Sequence, residues 1–399
     1  MAKKDDAQDI DVSVEVFVDE ILRRAKKMRA SDVHIEPTEK NQLLIRFRID
    51  GILNEETFDQ IFESEKLIIR IKVLSRLDIT VREIPQEGHF VFYDKDDAGH
   101  EQEMDVRVSI FPTIYGEAIV LRLLNRSDAF INIQELGFSP SALEAAKRLT
   151  HRFYGMVLVT GPVNSGKTTT LYSILQELNT GRRNIVTLED PVEYHMPKMR
   201  QSQIFPARGF DFATGLRSIL RQDPDIIMLG EIRDSDTAEI AIRASLTGRL
   251  VLSTLHTNST IGTLARLIDM GIEHWLVAYA LNGIIAQRLV GKVCIYCRIP
   301  YQPTAEVLRA LNAEFTEGDK FFQGSGCDKC RGTGFHGRIG LFEVLELDEE
   351  IRNLVLERAP SSAIRAKAFQ KGMQFLKDDG IIKAKNGLTT LEEVLRVAV

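Results

Sequence analysis

One eight-residue segment restricts the fold of this chain more than any other feature: residues 161–168 are Gly-Pro-Val-Asn-Ser-Gly-Lys-Thr. The segment fits the pattern G-x-x-x-x-G-K-[ST], follows an apolar run at 156–159 and precedes a helix-like run at 169–178. In that setting the glycines let backbone N–H groups close around an anion, and the helix N-terminus adds its positive dipole. The pattern therefore predicts a phosphate-binding loop between a buried strand and a helix.

The residue types in this loop predict a nucleotide site. Lys167 is expected to reach the outer phosphates of ATP, and the Thr168 hydroxyl is expected to bind Mg²⁺. The other predicted nucleotide-binding positions are Gly161, Pro162, Val163, Asn164, Ser165, Gly166 and Thr169. A glycine-rich turn that matches by accident is the alternative, and average residue frequencies make it rare, on the order of one chain in a hundred.

Short apolar runs alternate with helical patterns around the loop. This alternation predicts an α/β fold whose parallel sheet is covered by helices. The strand candidates are Met156–Val159, Ile185–Leu188, Asp225–Leu229 and Arg249–Leu252, and further helices are predicted near 348–358, 361–371 and 390–398.

Polar residues end three of these apolar runs. Because carboxyl ends of parallel strands meet at one edge of a sheet, Glu189, Glu231 and His256 are candidates for the chemistry at the phosphate loop. We predict that Glu231 is the essential acid and that Glu189 shares its task, since transfer to water needs a carboxylate that orients the attacking water. Two alternatives stay open: Glu231 as a solvated carboxylate paired with Arg233, and His256 as a structural histidine.

Four arginines are candidates for neutralising phosphate charge. Arg217 and Arg221 are four residues apart, which predicts one face of a helix, and a role in surface ion pairs is the alternative for both. Arg107 and Arg122 lie in the alternating runs 104–110 and 118–124, which are predicted to pair as antiparallel strands. In a ring of subunits, such arginines reach a nucleotide held by a neighbour or across a domain cleft.

All four cysteines fall into two C-x-x-C pairs, Cys294 with Cys297 and Cys327 with Cys330. Four thiolates suit tetrahedral Zn²⁺ and leave no open coordination position, so the expected site is structural. Two redox pairs or a disulfide are the alternative, which a reducing cytoplasm disfavours.

The chain is long enough for two to three domains, and its composition excludes several classes of protein. Its 399 residues carry 51 basic and 57 acidic side chains, a net charge of −6 that argues against a nucleic-acid surface over the whole protein. The acidic start and the lack of an apolar run near 20 residues, roughly what a bilayer span needs, predict a cytoplasmic protein. The predicted parts are a small α+β domain at 1–124, a linker at 125–138, the nucleotide-binding core at 139–290, the cysteine module at 291–340 and a helical region at 341–399.

Together these motifs resemble the ATPases of type II secretion and type IV pilus assembly, over nearly the whole chain. The segments that carry the resemblance are Ala30–Pro37, the phosphate loop, Thr187–Glu193, Arg221–Asp225 with Gly230–Asp234, and Thr247–Arg249 with Leu255–Asn258. The resemblance implies a PAS-like domain before a RecA-like motor domain, in a homo-hexameric ring whose ATP hydrolysis powers pilus or pseudopilus assembly.

The resemblance also implies partners and roles. The ring would act at the cytoplasmic face of the inner membrane through a platform protein and membrane-anchored assembly proteins, without nucleic acid. Arg107 and Arg122 match the family's phosphate-sensing pair, and Arg217 and Arg221 match a pair in the motor domain. The cysteine module is similar to that of the assembly branch, which implies extension rather than retraction.

Two departures from the family pattern modify these expectations. Val163 and Asn164 replace the usual Thr-Gly, yet both anchoring glycines remain, so nucleotide binding should survive. Only about thirty residues precede Ala30, so we expect that the extra amino-terminal docking domain of many members is missing. The alternatives are a RecA-like nucleic-acid motor, such as a helicase or DNA-transfer ATPase, and a scaffold that binds ATP but hardly hydrolyses it.

Overall fold

Two patterns of apolar residues build two different sheets in the computed structural model. The model describes residues 13–39, 42–58, 64–95, 99, 101–125, 131–312 and 318–398, and the chain divides into two units, 1–128 and 129–399. In the first unit apolar and polar residues alternate along the strands, so only one face of its sheet is buried. In the second unit the central strands are apolar throughout and are buried on both faces.

The first unit is an antiparallel sheet that shares a hydrophobic core with two helices. Its spatial strand order is β3-β2-β1-β6-β5-β4. An amphipathic helix at Val14–Lys27 is capped by Ser13 and buries Phe17 and Leu22 against the core. The elements are α1 Val14–Lys27, β1 Ala30–Pro37, β2 Leu43–Ile49, β3 Ile52–Glu56, α2 Ser64–Leu74, β4 Gln86–Lys95, β5 Glu101–Thr113 and β6 Gly116–Asn125.

The predicted pairing of the runs 104–110 and 118–124 is confirmed, and a second hairpin joins β2 and β3. Asp50 (φ 49°) and Gly51 (φ 91°) both adopt left-handed backbone conformations and form the two-residue turn between β2 and β3. Strands β5 and β6 pair so that Arg107 lies opposite Arg122, and β1 places Asp32 on the other side of Arg122.

The second unit contains a seven-stranded sheet covered by helices, a short two-stranded sheet and a helical tail. Its elements are α3 Pro140–Thr150, β7 Gly155–Thr160, α4 Lys167–Leu178, β8 Ile185–Glu189, β9 Arg200–Gln203, α5 Phe212–Ile219, β10 Ile226–Leu229, α6 Ser235–Leu246, β11 Leu250–Leu255, α7 Thr260–Asp269, α8 His274–Ala280, β12 Leu281–Val293, β13 Arg298–Tyr301, α9 Ala305–Leu311, β14 Phe321–Gly324, β15 Phe335–Glu346, α10 Glu349–Leu356, α11 Ser361–Gln370, α12 Leu376–Lys385 and α13 Leu391–Ala398.

The large sheet has the order β15-β12-β7-β11-β10-β8-β9, and all neighbours are parallel except β12 and β15. Alternate residues of β7 enter opposite cores: Met156 and Leu158 pack in one, and Val157 packs in the other. The four predicted strands form as β7, β8, β10 and β11, which confirms the α/β fold class. Their carboxyl ends meet at the edge where the phosphate loop lies.

The cysteine segment leaves this sheet and returns to it. The predicted limits at 290/291 and 340/341 fall inside β12 and β15, which pair with each other along most of their length. Residues 341–346 therefore continue a strand before the tail becomes helical, and α12 is a helix that the sequence pattern did not indicate.

The stretch predicted as a linker, 125–138, is described for residue 125 and from residue 131 onward. Its later part is packed against the second unit's core, with Ile133 buried and the Phe138 ring stacked on Phe342 at 3.6 Å between centroids. Within the described ranges, no helix has the length and apolar character that crossing a membrane requires.

Candidate nucleotide site and cysteine cluster

The phosphate loop has the tight backbone that its glycines permit. Gly161 (φ 155°), Asn164 (φ 62°) and Gly166 (φ 86°) all adopt positive φ values. A Cβ atom on Gly161 would lie 2.5 Å from Ser165 Oγ and 2.6 Å from the Gln287 carbonyl oxygen, so no larger residue fits there. The Ser165 hydroxyl is buried without a hydrogen-bond partner, which leaves a donor inside the loop for a phosphate oxygen.

Lys167 lies inside this loop, whereas Thr168 is exposed at its rim. The Lys167 Nζ donates hydrogen bonds to the carbonyl oxygens of Gly161 (3.0 Å) and Pro162 (2.9 Å). Burial lowers the pKa of Lys167, and the negative charge of Glu231 opposes this effect. Pro162, Val163 and Thr168 are exposed and Thr169 is half-buried, so the loop presents a surface that a nucleotide can approach.

Strand β12 contributes two residues that the sequence analysis missed. Gln287 Nε2 donates to the Ser165 carbonyl oxygen at 2.6 Å, and this contact fastens the loop to the strand beside β7. The buried Arg288 guanidinium donates to the Gln287 carbonyl oxygen at 3.0 Å and to the Asn258 carbonyl oxygen at 2.9 Å. The signal in the sequence was a Gln-Arg pair in the middle of a mostly apolar run, where buried polar side chains need specific partners.

Glu231 is held by partners on both carboxylate oxygens. Arg233 Nε donates to Oε1 at 2.7 Å, and His256 Nε2 lies 2.9 Å from Oε2. Burial raises the pKa of Glu231, but the hydrogen bond and charge of Arg233, together with His256, outweigh burial and lower it overall. Arg233 also contacts Asp190 at 3.2 Å, so residues that end β8, β10 and β11 meet at one place.

Glu189 is buried and bonded inside the protein. Its carboxylate accepts hydrogen bonds from Tyr172, Thr187 and Gln201, the last at 3.2 Å. Burial raises the pKa of Glu189 above its ordinary value, against the effect of these three donors. Among the contacts of the described residues, no hydrogen bond joins Glu189 to Glu231 or Lys167.

Arg217 and Arg221 do not share one face of a helix. Helix α5 ends at Ile219, so Arg217 is helical while Arg221 follows the helix, and the prediction of one shared face is wrong. After the helix the chain turns away from helical geometry, and Asp223, directly before Pro224, takes a positive φ of 49°. Both arginines are exposed, and Arg221 Nη1 turns back to the Arg217 carbonyl oxygen at 3.0 Å.

The other two arginines belong to the first unit. Arg107 and Arg122 lie on paired strands, as predicted, and the register of β5 and β6 sets them directly opposite each other. Arg122 is half exposed and its Nε donates to Asp32 Oδ1 at 3.1 Å. Asp32 belongs to the Ala-Ser-Asp segment, so this motif and the arginine pair are one local structure.

The four cysteines form a single cluster of free thiols. Their Sγ atoms all lie within 4.8 Å of one another, with separations of 3.9 Å for Cys294 and Cys327 and 3.7 Å for Cys297 and Cys330. Tetrahedral zinc with Zn–S distances of about 2.3 Å needs sulfur atoms about 3.8 Å apart. The cluster therefore fits a four-thiolate zinc site, and the separations exclude disulfides in this state.

The fold and this site define a P-loop nucleotide-binding protein with a RecA-like parallel sheet. A family model described as "Type II/IV secretion system protein" matches residues 7–396. The chain belongs to this family, which confirms the resemblance seen in the motifs.

Curated relatives include secretion and pilus ATPases. The type II secretion system ATPase E of Vibrio cholerae is 42% identical over 97% of this chain and 76% of its own length. The type IV pilus assembly ATPase PilB of Thermus thermophilus is 42% identical over 95% of this chain, which spans 42% of that protein. At this level of similarity the chain is an ATPase of the secretion and pilus-assembly class.

Solved structures agree on the fold. The pilus retraction motor PilT with bound ADP superposes with a TM-score of 0.62 at 26% identity, covering 95% of this chain and 96% of that one. The ATPase DotB of Legionella pneumophila superposes with a TM-score of 0.71 at 23% identity, covering 97% and 96%.

Proposed function

We propose that this chain is the Mg²⁺-dependent, ATP-hydrolysing subunit of a homo-hexameric motor that powers pilus or pseudopilus assembly. One arrangement carries the catalytic part of the proposal: Arg233 and His256 hold Glu231 at the sheet edge where the phosphate loop lies, and its negative charge acts on Lys167 of that loop. A phosphate-binding cation beside a held carboxylate is the arrangement that phosphoryl transfer to water requires.

The loop binds and orients the phosphates. Backbone N–H groups around Gly166 and the N-terminus of α4 offer positive partial charge, and Lys167 exchanges its loop carbonyl contacts for phosphate oxygens. The exposed Thr168 hydroxyl would help to hold Mg²⁺, which would supply positive charge to the phosphates.

Glu231 orients the attacking water and accepts its proton. Arg233 approaches Oε1 with two nitrogens, whereas Oε2 has a second lone pair beyond the one engaged by His256, so the water binds at Oε2 while both partners stay in place. Glu189 supports the site indirectly, by fixing the end of β8. Its carboxylate oxygens already accept hydrogen bonds from Tyr172, Thr187 and Gln201.

The cysteine cluster serves as a structural zinc site. Cys294, Cys297, Cys327 and Cys330 supply four sulfur ligands, which leave no position for a substrate. Zinc holds together a segment that leaves the main sheet between β12 and β15.

Assembly into a ring completes the sites. Arg107, Arg122, Arg217 and Arg221 supply cations to a nucleotide from a neighbouring domain or subunit and couple hydrolysis to domain movement. The motor works at the cytoplasmic face of the inner membrane with a platform protein and membrane-anchored assembly proteins. The cysteine cluster favours extension as its direction.

Two substitutions test the catalytic assignment. Glu231→Gln should keep ATP affinity within a factor of about two and lose hydrolysis by about a hundredfold or more, because it removes the proton acceptor and retains the shape. Lys167→Ala should instead lose ATP binding. Binding is measured by calorimetry and turnover by phosphate release; wild-type turnover in Glu231→Gln sinks the assignment.

A further inference from the structure

The edge of the seven-stranded sheet opposite the candidate nucleotide site exposes aromatic rings. Phe153 and Tyr154 precede β7 and are 81% and 59% exposed, and Tyr279 precedes β12 and is 57% exposed. The Tyr154 carbonyl oxygen accepts a hydrogen bond from Asn282 Nδ2 at 2.9 Å, which ties the starts of these neighbouring strands together. Clustered exposed apolar side chains mark interaction sites far more often than scattered ones do.

Three arginines surround these rings. The Arg183 guanidinium lies 5.6 Å from the Phe153 ring centroid, and Arg152 Nη1 donates to Asn282 Oδ1 at 3.3 Å. Arg249 is adjacent because its carbonyl oxygen accepts from Gly155 N at 3.1 Å. We call this surface the amino-edge patch; it consists of Arg152, Phe153, Tyr154, Arg183, Arg249 and Tyr279.

The charge of the patch is unbalanced. In the part of the chain that the structure describes, none of its three arginines forms an ion pair. Of the nearby acids, Glu346 pairs with Arg148, while Asp225 accepts from the neutral Asn184 N at 2.7 Å, so three arginines outnumber the one carboxylate that has no cationic partner of its own. A protein with a net charge of −6 therefore carries a local positive surface, on an edge that the phosphate loop does not use.

We propose that the amino-edge patch docks an acidic segment of a partner protein, one that places carboxylates beside an apolar side chain. Guanidinium groups match carboxylates in bidentate geometry, and arginine, tyrosine and other aromatic residues dominate the energetics of protein interfaces. The cations of the patch are all arginine and none is lysine, which favours carboxylate recognition over diffuse attraction to lipid headgroups. The proposal concerns a surface separate from the catalytic site and stands independently of it.

A peptide-binding experiment on the full chain tests the proposal. The probes are a labelled peptide of glutamate and leucine residues, a lysine and leucine peptide of equal length, and vesicles of phosphatidylcholine with phosphatidylglycerol. The patch variant is Arg152→Ser/Arg183→Ser/Arg249→Ser. The control, Arg208→Ser/Arg266→Ser/Arg309→Ser, makes the same charge change at exposed arginines elsewhere.

Of the three probes, we expect only the acidic peptide to bind the wild type. Its affinity should be at least tenfold lower for the patch variant and unchanged for the control variant. Phe153→Ala/Tyr279→Ala should also weaken binding, and these exposed positions leave folding intact. Basal ATPase activity should match the wild type in all variants, which separates this test from that of the proposed function. Absence of peptide binding, equal weakening in the control, binding of vesicles in place of the peptide, or loss of self-association in the patch variant would each overturn the proposal.

Discussion

The ionisation of Glu231 depends on two opposing effects at the scale of single side chains. Partial burial favours the neutral acid, while Arg233 and His256 favour the carboxylate, and the second effect prevails. A proton acceptor that stays ionised remains competent as the pH falls toward and below the ordinary range of a glutamate. Arg233 is therefore a positioning residue that acts through Glu231.

Arg233→Ala should move the acid limb of the kcat profile to higher pH, by about one pH unit. The sign follows because Arg233 is the largest of the effects that lower the pKa of Glu231, so without it burial, which raises that pKa, is opposed more weakly. The check is kcat against pH at saturating ATP. Arg243→Ala, which breaks an exposed helix pair with Glu239, is the matched control and should leave the limb in place. An unchanged limb in Arg233→Ala contradicts this account of Glu231.

At the scale of elements, β12 is the strand that fixes the phosphate loop. Gln287→Ala removes the donor to the Ser165 carbonyl oxygen and leaves that buried acceptor without this partner. Such a loss costs about 1–3 kcal/mol, so ATP affinity should fall by roughly tenfold. Calorimetric titration with ATP measures the effect, with the exposed Gln302→Ala as control. Equal affinity in Gln287→Ala and the wild type would show that the contact does not shape the loop.

The cysteine segment should depend on its metal. We expect one zinc per chain by elemental analysis, and Cys297→Ser should lose zinc and destabilise the protein by more than about 2 kcal/mol, since metal binding is coupled to folding. Thermal unfolding of both forms tests this. Asp328→Asn, an exposed change between two cysteines, should keep zinc and stability. Full stability without zinc contradicts a structural role.

The elements also show what the sequence can and cannot predict. The strands β7, β8, β10 and β11 are short apolar runs between helices, so periodicity identifies them. Helix α12 is invisible to that method because it buries an ion pair, Asp379 with Lys383, in place of an apolar stripe. Glu189 is a similar case: its place at a strand end is predictable, but Tyr172 and Gln201 come from other elements and give it a different role.

At the scale of the whole molecule, the proposed ATPase mechanism requires an assembly of several chains. The phosphate loop, Glu231 and His256 lie in the second unit, while Arg107 and Arg122 lie in the first. Sites completed by assembly gain activity when subunits associate, whereas self-sufficient sites do not. A RecA-like nucleic-acid motor is the alternative against which this proposal is tested, because such motors and the secretion ATPases share the nucleotide-binding core.

The most direct test of the central claim is the Mg²⁺-ATPase rate per subunit against protein concentration, with and without single- and double-stranded DNA. The account predicts a rate per subunit that rises with concentration to a plateau, as the ring forms, and that DNA leaves unchanged. A rate per subunit that is constant at all concentrations, or one that DNA stimulates strongly at every concentration, would contradict it.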